Sequence, residues 1–253
     1  MNSGLENEKQ IIEELFGKRF MQLSPFWRDT VKKIFPEVRD EQIIIARKIP
    51  NMVGCKTDFE LQVGHEYVNI SVKSGKWPSI HQERINYFLE FLKEQSISQE
   101  TMNFIAFYLY ADGTVDGSGD EKMTTEEIKA LYMDRIQKAN EEINNINFIK
   151  KILFRALIKG RKESRKEIDY LYYGDSHSGL LVSKEQIMEA IPYKNTSNYK
   201  CLHCGPLIFI NKDKQFNRTR NKDDSNYLQL KWPTLLYDLK RLEIYKKIEK
   251  NRN

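Results

Sequence analysis

Residues 54–83 read GCKTDFELQVGHEYVNISVKSGKWPSIHQE, and the fold expected for the chain rests on the pattern of these residues. Two runs in it, 56–63 and 67–73, alternate apolar and polar side chains; the apolar members are Phe59, Leu61, Val63, Val68, Ile70 and Val72. Alternation with a period of two places each set on one face of a strand. Because Gly64-His65-Glu66 supplies a turn between the runs, the sequence predicts a β-hairpin over residues 56–73.

The polar face of this hairpin carries an unusual set of side chains. Asp58 and Glu60 lie on the first strand, and Ser71 and Lys73 lie on the second, so antiparallel pairing can bring them together. A carboxylate can hold a hard divalent cation, and a lysine beside it can orient water and stabilise added negative charge. The face therefore indicates phosphodiester hydrolysis, and an ordinary ion pair between Asp58 and Lys73 is the alternative.

Helical and strand patterns surround the hairpin. A helix is expected after Pro78-Ser79, because Ser79 and Gln82 fit a capping box, and a strand is expected in the second half of the apolar segment 101–111. Further helices are predicted over 5–21, 25–35, 125–159 (interrupted near Asn144-Asn145) and 233–249. The short apolar run 43–45 is of open type, and short strands are predicted near 168–173, 179–182, 206–211 and 226–231.

These elements predict an α/β fold with a central mixed β-sheet flanked by helices. We expect one domain, 1–253, in which residues 1–160 form a catalytic core and residues 161–253 form a C-terminal part of short strands that recognises DNA. The acidic glycine-rich segment 112–122 lacks the spacing of an EF-hand and is expected to be a surface loop.

Composition and charge narrow the possible classes of protein. The 253 residues are 40% hydrophobic, which is typical of a globular protein, and no apolar run is long enough to span a membrane. The N-terminus MNSGLENEKQ lacks an apolar signal core, and three cysteines are too few for a disulfide framework, so a cytoplasmic location is expected. The net charge of +5 is modest, but basic residues are dense at 155–166 and 218–222.

The residues from Asp58 to Lys73 resemble a known signature. Asp58 followed by Ser71-Val72-Lys73 is similar to the Asp…(Asp/Glu/Ser)-X-Lys motif of the PD-(D/E)XK nuclease superfamily, and the stretch 54–83 looks like type II restriction endonucleases. The resemblance implies that Asp58 binds metal and that Lys73 is catalytic. Ser71 departs from the commoner acid, so a second acid must come from elsewhere. Glu83 matches a displaced acid, Glu60 is its rival, and Glu13 or Glu14 of the first helix is a third choice.

The resemblance also implies an activity and partners. It implies Mg²⁺-dependent, sequence-specific hydrolysis of double-stranded DNA to 5′-phosphate ends, with Mn²⁺ able to substitute. A homodimer would match a palindromic duplex, and a DNA methyltransferase would be the companion enzyme in a bacterial or archaeal cell. The alternatives are a non-catalytic DNA-binding protein with a nuclease fold, or a nuclease that is nonspecific or acts on branched or damaged DNA or RNA.

Several polar residues are candidates for DNA contact, since arginine can read guanine and asparagine or glutamine can read adenine. They are Lys76, His81, Gln82, Asn198, Lys200, Asn217, Arg218, Arg220 and Asn221. A structural role for His81 and a capping role for Gln82 are alternatives. Cys201-Leu202-His203-Cys204 offers one Cys-X-X-Cys pair without a second pair at zinc spacing, so no zinc is expected.

Overall fold

The computed structural model describes residues 3–49, 55–160, 166–190, 200–211 and 226–250. The helices are α1 (Ser3–Leu15), α2 (Pro25–Ile34), α3 (Ile85–Glu94), α4 (Gln99–Tyr110), α5 (Thr125–Ile143), α6 (Ile146–Leu153), α7 (Lys184–Glu189) and α8 (Leu235–Lys250). The strands are β1 (Ile44–Lys48), β2 (Phe59–Val63), β3 (Glu66–Lys73), β4 (Ser79–Arg84), β5 (Tyr170–Gly174), β6 (Gly179–Ser183), β7 (His203–Cys204), β8 (Leu207–Ile210) and β9 (Tyr227–Lys231).

The chain divides into two compact units. The first comprises Met1–Lys76, Leu157–Ala190 and Leu236–Asn253, and the second comprises Trp77–Ala156 and Ile191–Leu235. Helices accompany a mixed sheet in the first unit and an antiparallel sheet in the second, so the expected α/β class is confirmed. The division differs from the expected boundary near residue 160, because the C-terminal strands are shared between the two sheets.

A five-stranded mixed sheet with the order β1-β2-β3-β5-β6 forms the centre of the first unit. Its strands pair antiparallel except for β3 and β5, which are parallel. The predicted hairpin is confirmed: Phe59 pairs with Ile70 and Val63 with Glu66, and Gly64 turns the chain at φ +60°. Phe59, Leu61 and Val63 are buried in a core shared with α1 and α2, so the opposite face of the hairpin carries the polar set.

A four-stranded antiparallel sheet with the order β4-β9-β8-β7 belongs to the second unit, together with α3, α4, α5 and α6. The strand expected in the second half of 101–111 is wrong, since this segment belongs to α4. All residues from Phe104 to Tyr110 are buried, so burial on every side produces a continuous apolar run without helical periodicity. The side chain of Ser98 accepts a hydrogen bond from Thr101 N–H and caps the helix.

The helix expected to begin after Pro78-Ser79 is also wrong over its first five residues. Together with Ser79, these residues form β4, which pairs with β9, and α3 begins only at Ile85. The apolar stripe on that helix is confirmed, because Ile85, Phe88 and Leu92 are buried. The capping pattern at Ser79 and Gln82 describes a local possibility, and pairing with a strand distant in sequence overrides it.

The interruption predicted near Asn144-Asn145 is confirmed between α5 and α6. Asn145 is the N-cap of α6, and its side chain accepts a hydrogen bond from Phe148 N–H at 2.9 Å. A π-helical turn, Phe154–Lys159, follows α6. None of the helices in the described part of the chain is both long and apolar enough to cross a membrane.

Candidate active site

Asp58 lies just before β2, where the backbone of the hairpin holds it. Its N–H donates to the Ile70 carbonyl at 2.9 Å, which places the residue opposite Ser71. One carboxylate oxygen, Oδ2, accepts from the Ser71 hydroxyl at 2.9 Å and from Val72 N–H at 2.6 Å. Two donors on one oxygen fix the direction of the carboxylate.

Lys73 ends β3, and its ammonium lies among three oxygen atoms of the same hairpin. Nζ donates to Ser71 Oγ at 3.0 Å and to the Val72 carbonyl at 2.9 Å, and it lies 3.7 Å from Asp58 Oδ2. The side chains of Lys73 and Asp58 are 17% and 25% exposed, so the cluster is part-buried but open to a ligand. The predicted convergence of Asp58, Ser71 and Lys73 on one face is confirmed.

A second carboxylate, Glu8 of α1, approaches the cluster from outside the hairpin. Burial raises the pKa of Glu8, and the nearby negative charge of Asp58 raises it further, while Lys48 and Lys73 act in the opposite direction. Lys48 Nζ lies 4.0 Å from a Glu8 carboxylate oxygen. Two neighbouring carboxylates in a part-buried site repel each other, and a bound divalent cation would neutralise part of their negative charge.

The donor atoms of this cluster suit Mg²⁺. Asp58 and Glu8 supply carboxylates and Val72 supplies a carbonyl oxygen. Mg²⁺ prefers oxygen ligands and is commonly held by one or two carboxylates, with water and substrate phosphate completing the shell. Among the described residues, no group of three or more His, Cys, Asp or Glu is placed to hold a metal.

Glu60 lies two residues along β2 from Asp58, where it pairs in register with Asn69. Its carboxylate lies 3.3 Å from Lys166 Nζ. Next to it, Asp169 accepts a hydrogen bond from Asn69 N–H at 2.9 Å. Glu60 therefore belongs to a neighbouring ion pair on the polar face of the sheet, and its role as a metal ligand stays a prediction.

The two glutamates of the first helix named from the sequence have other partners. Glu13 lies 3.6 Å from Lys9, one turn earlier in α1, and Glu14 lies 3.0 Å from Lys18, which follows the end of that helix. Glu8 was missed, although the sequence contains a signal for it. It precedes Ile11 by three residues and Leu15 by seven, so it extends the buried stripe of the helix. An acid on the core-facing side of a helix needs a partner or a function.

Glu83, the favoured second acid, lies in β4 of the second unit and is bound on both oxygens. Arg155 Nε and an Arg155 terminal nitrogen donate to it at 3.0 and 2.6 Å, and His81 Nε2 lies 2.8 Å from Oε1. Burial raises the pKa of Glu83, but the hydrogen bonds from His81 and Arg155 lower it more, to about 2. Its side chain is 1% exposed, so the carboxylate already has a full set of partners in the core.

The residues predicted to contact DNA differ in their exposure to solvent. His81 is buried beside Glu83, which leaves no surface for a DNA contact, so this prediction is corrected towards the structural alternative. Gln82, Lys76 and Lys200 are exposed. The remaining candidates lie outside the described residues; they are Asn198, Asn217, Arg218, Arg220 and Asn221.

The cysteines of the second unit take part in local packing. Cys204 is buried, and its thiol donates to the Ile143 carbonyl at 3.1 Å. Burial raises the pKa of the Cys204 thiol well above its ordinary value, which opposes formation of the thiolate that a metal needs. The backbone of Cys201 accepts a hydrogen bond from Asn140 at 3.1 Å.

No protein-family model matches the chain, and no curated protein matches it at a significant level.

Proposed function

We propose that this chain is a Mg²⁺-dependent endonuclease of the type II restriction kind that hydrolyses double-stranded DNA. One observation carries the proposal: the Lys73 ammonium lies 3.7 Å from Asp58 Oδ2 across the hairpin, with Glu8 close enough to feel the charge of Asp58. The resemblance of Asp58 and Ser71-Val72-Lys73 to the PD-(D/E)XK motif supports the same conclusion.

The metal would be held by Asp58 and Glu8, with the Val72 carbonyl as a further oxygen. When bound, Mg²⁺ supplies electrostatic stabilisation of the phosphate and lowers the pKa of a water molecule. Glu8 would thereby be the second acidic ligand, the role for which the sequence offered Glu83, Glu60, Glu13 and Glu14. Burial raises the pKa of Glu8 and the charge of Asp58 raises it further, which supports this assignment.

Lys73 would stabilise the transition state. Its ammonium lies 3.7 Å from Asp58 Oδ2. From this position it would hydrogen-bond to the attacking water and offset the negative charge that develops on the oxygen atoms of the phosphate. In the reaction a bond forms between the water oxygen and phosphorus, and the bond from phosphorus to the 3′-oxygen breaks. The 3′-oxygen takes up a proton, which leaves a 3′-hydroxyl and a 5′-phosphate.

Ser71 would position these groups without touching the substrate. It is 1% exposed, donates to Asp58 and accepts from Lys73. A hydroxyl can do both at once, and it thus fixes the distance between the acid and the ammonium. This role explains how serine can stand where the motif more often has an acid.

Cutting both strands of a duplex requires two such sites. One chain offers one Asp58–Lys73 cluster, so we propose a two-fold homodimer on a palindromic DNA sequence. A bacterial or archaeal cytoplasm and a companion methyltransferase follow from the same proposal. Sedimentation of the purified chain with and without duplex DNA tests it, and a monomer on cleaved DNA would contradict it.

The deciding experiment is incubation of the chain with plasmid DNA in Mg²⁺, in Mn²⁺ and in EDTA. We expect discrete fragments with either metal and none in EDTA, and Lys73→Ala and Glu8→Gln should abolish cutting while they retain DNA binding. Lys138→Ala and Glu13→Gln are matched controls, because both residues are exposed and pair with residues outside the cluster, Lys138 with Glu100 and Glu13 with Lys9.

Each other outcome points to a different function. A smear of fragments would indicate a nonspecific nuclease. Binding without cutting in any divalent metal would indicate a non-catalytic DNA-binding protein. Cutting by Lys73→Ala at the wild-type rate would overturn the assignment of the site.

A further inference from the structure

The outer face of the strand pair β4–β9 carries six polar side chains in three cross-strand pairs. The register pairs Ser79 with Lys231, Gln82 with Gln229, and Arg84 with Tyr227. We call these six residues the β4–β9 face. Ser79, Gln82 and Arg84 are exposed, and the three residues on β9 are half-buried. The inner residues of β9, Leu228 and Leu230, are fully buried, so the pair is polar on one side only.

The chemistry of this face differs from that of an ordinary solvated strand pair. It combines two positive charges with no acid among the six residues. Arginine and glutamine present paired hydrogen-bonding groups that match base edges. The positive charge therefore complements an anionic partner. The amides and the guanidinium complement a partner that presents hydrogen-bond donors and acceptors in a fixed arrangement.

Two of these side chains are already held in place. The Arg84 guanidinium carbon lies 5.7 Å from the centre of the Tyr227 ring, and Arg84 Nε lies 3.5 Å from the Tyr227 hydroxyl. Gln229 Nε2 donates to Ser79 Oγ at 3.1 Å. Ordering a long side chain before binding lowers the entropy cost of recognition. An exposed arginine stacked on a tyrosine is thus prepared for a planar contact.

Beneath the face, the strand is anchored by the buried Glu83 carboxylate. Arg155 and His81 both bind it, and Arg155 also stacks over Phe91 at 4.8 Å. Glu83 and His81 point inward while Gln82 and Arg84 point outward on the same strand. A rigid strand keeps the spacing of the outward side chains constant, which sequence readout requires.

We infer that the β4–β9 face is the surface that reads base pairs in the major groove of duplex DNA. β4 and β9 are neighbouring strands of the four-stranded sheet, and several classes of DNA-binding protein place strands of a ribbon or sheet in a groove of the duplex. The rise of a strand, about 3.4 Å per residue, equals the rise of B-DNA per base pair, so residues two apart face every second pair. This inference rests on the proposed function, and it adds Arg84, Tyr227, Gln229 and Lys231 to Gln82 as residues that contact DNA.

The roles of the residues differ on this surface. Arg84 matches guanine, and Gln82 and Gln229 match adenine, so these three would determine the sequence that is bound. Lys231 offers a point charge that suits a phosphate, which would strengthen binding to every sequence equally. The two kinds of contact can therefore be separated by measurement.

The test measures binding in a Lys73→Ala background, where cutting cannot remove the DNA. A pool of random-sequence duplexes is bound and sequenced to find the preferred site, and fluorescence anisotropy then gives Kd for that site and for unselected duplex. Arg84→Ala and the double variant Gln82→Ala/Gln229→Ala should each weaken binding to the preferred site by roughly 5- to 150-fold and hardly change binding to unselected duplex. Lys231→Ala should weaken both equally and reduce the slope of binding against salt by about one.

Three controls separate readout from folding. Arg84→Lys keeps the charge but loses paired hydrogen bonding, so it should lose sequence preference while unselected binding stays. Lys138→Ala and Gln99→Ala alter exposed residues of the same unit outside the face and should change nothing. All variants should unfold at the wild-type urea midpoint.

The outcomes distinguish this inference from the proposed function. If the wild type cuts DNA and the variants of the β4–β9 face bind and select DNA as the wild type does, the face does not read the sequence. The proposed nuclease activity would then remain supported. A wild type that never cuts but selects a duplex through Arg84 overturns the nuclease and supports the reading surface. Binding to single strands in preference to duplex, or no binding to DNA, overturns the inference.

Discussion

Replacement of Glu83 by glutamine should destabilise the protein without removing a metal ligand. The folded carboxylate has a pKa of about 2 against an ordinary value of 4.5, because the bonds from His81 and Arg155 outweigh the effect of burial. At 1.36 kcal/mol for each pH unit, this difference makes the charged carboxylate worth about 3 kcal/mol. Its side chain is 1% exposed, so solvent screening takes little from that figure.

The same difference sets a pH dependence. A carboxylate whose folded pKa is depressed stabilises the fold above its unfolded pKa, and this stabilisation is lost as pH falls towards the folded value. The wild type should therefore lose about 3 kcal/mol from this group between about pH 5 and pH 2. Glu83→Gln should lack that component and should be about 3 kcal/mol less stable than the wild type at pH 7.

Urea unfolding followed by tryptophan fluorescence measures both effects, since Trp232 of the second unit is fully buried. Glu90→Gln is the matched control because Glu90 is an exposed glutamate on α3, and it should change stability by less than about 0.5 kcal/mol. Under conditions where Glu83→Gln remains folded, it should still cut DNA in Mg²⁺. A variant as stable as the wild type that no longer cuts would instead indicate that Glu83 binds the metal.

Three further predictions concern the hairpin and the helices. Ser71→Ala should keep the fold but slow single-turnover cleavage by about 10- to 100-fold, since the bridge between Asp58 and Lys73 is lost; an unchanged rate across a Mg²⁺ titration would remove Ser71 from the site. Gly64→Ala should cost about 1 kcal/mol in urea unfolding, because φ is +60° at this turn, and an unchanged midpoint would contradict it. Asn145→Ala should cost about 1 kcal/mol by loss of the cap on α6, whereas Asn145→Ser should restore most of it, and equal midpoints for both variants would argue against the cap.

The hairpin could be predicted because its information is local. Alternation in 56–63 and 67–73, with a turn at Gly64, determines which side chains share a face whatever the rest of the chain does. Asp58, Ser71 and Lys73 therefore converge as expected, and the contacts at 2.9, 3.0 and 3.7 Å only give the convergence its dimensions. The break between α5 and α6 could be predicted for the same reason, since a cap such as Asn145 acts within one helical turn.

Predictions failed where a distant segment competes with a local pattern. Ser79 and Gln82 satisfy a helix cap, yet β9 pairs with this segment and makes it a strand. The apolar run of α4 lacks helical periodicity because every residue from Phe104 to Tyr110 is buried. Local propensities differ by less than the free energy of burying a whole element, so tertiary packing decides such cases.

The hairpin, its polar face and the pairing of an acid with a lysine follow from the local sequence. The interaction of a second acid with Asp58 does not, because Glu8 belongs to α1 and its position depends on the packing of that helix on the core. The ion pair of Glu83 with Arg155, both in the second unit, likewise depends on the packing of separate elements. Alternation along a strand is a property of neighbours in the chain, whereas the meeting of two carboxylates depends on how separate elements pack.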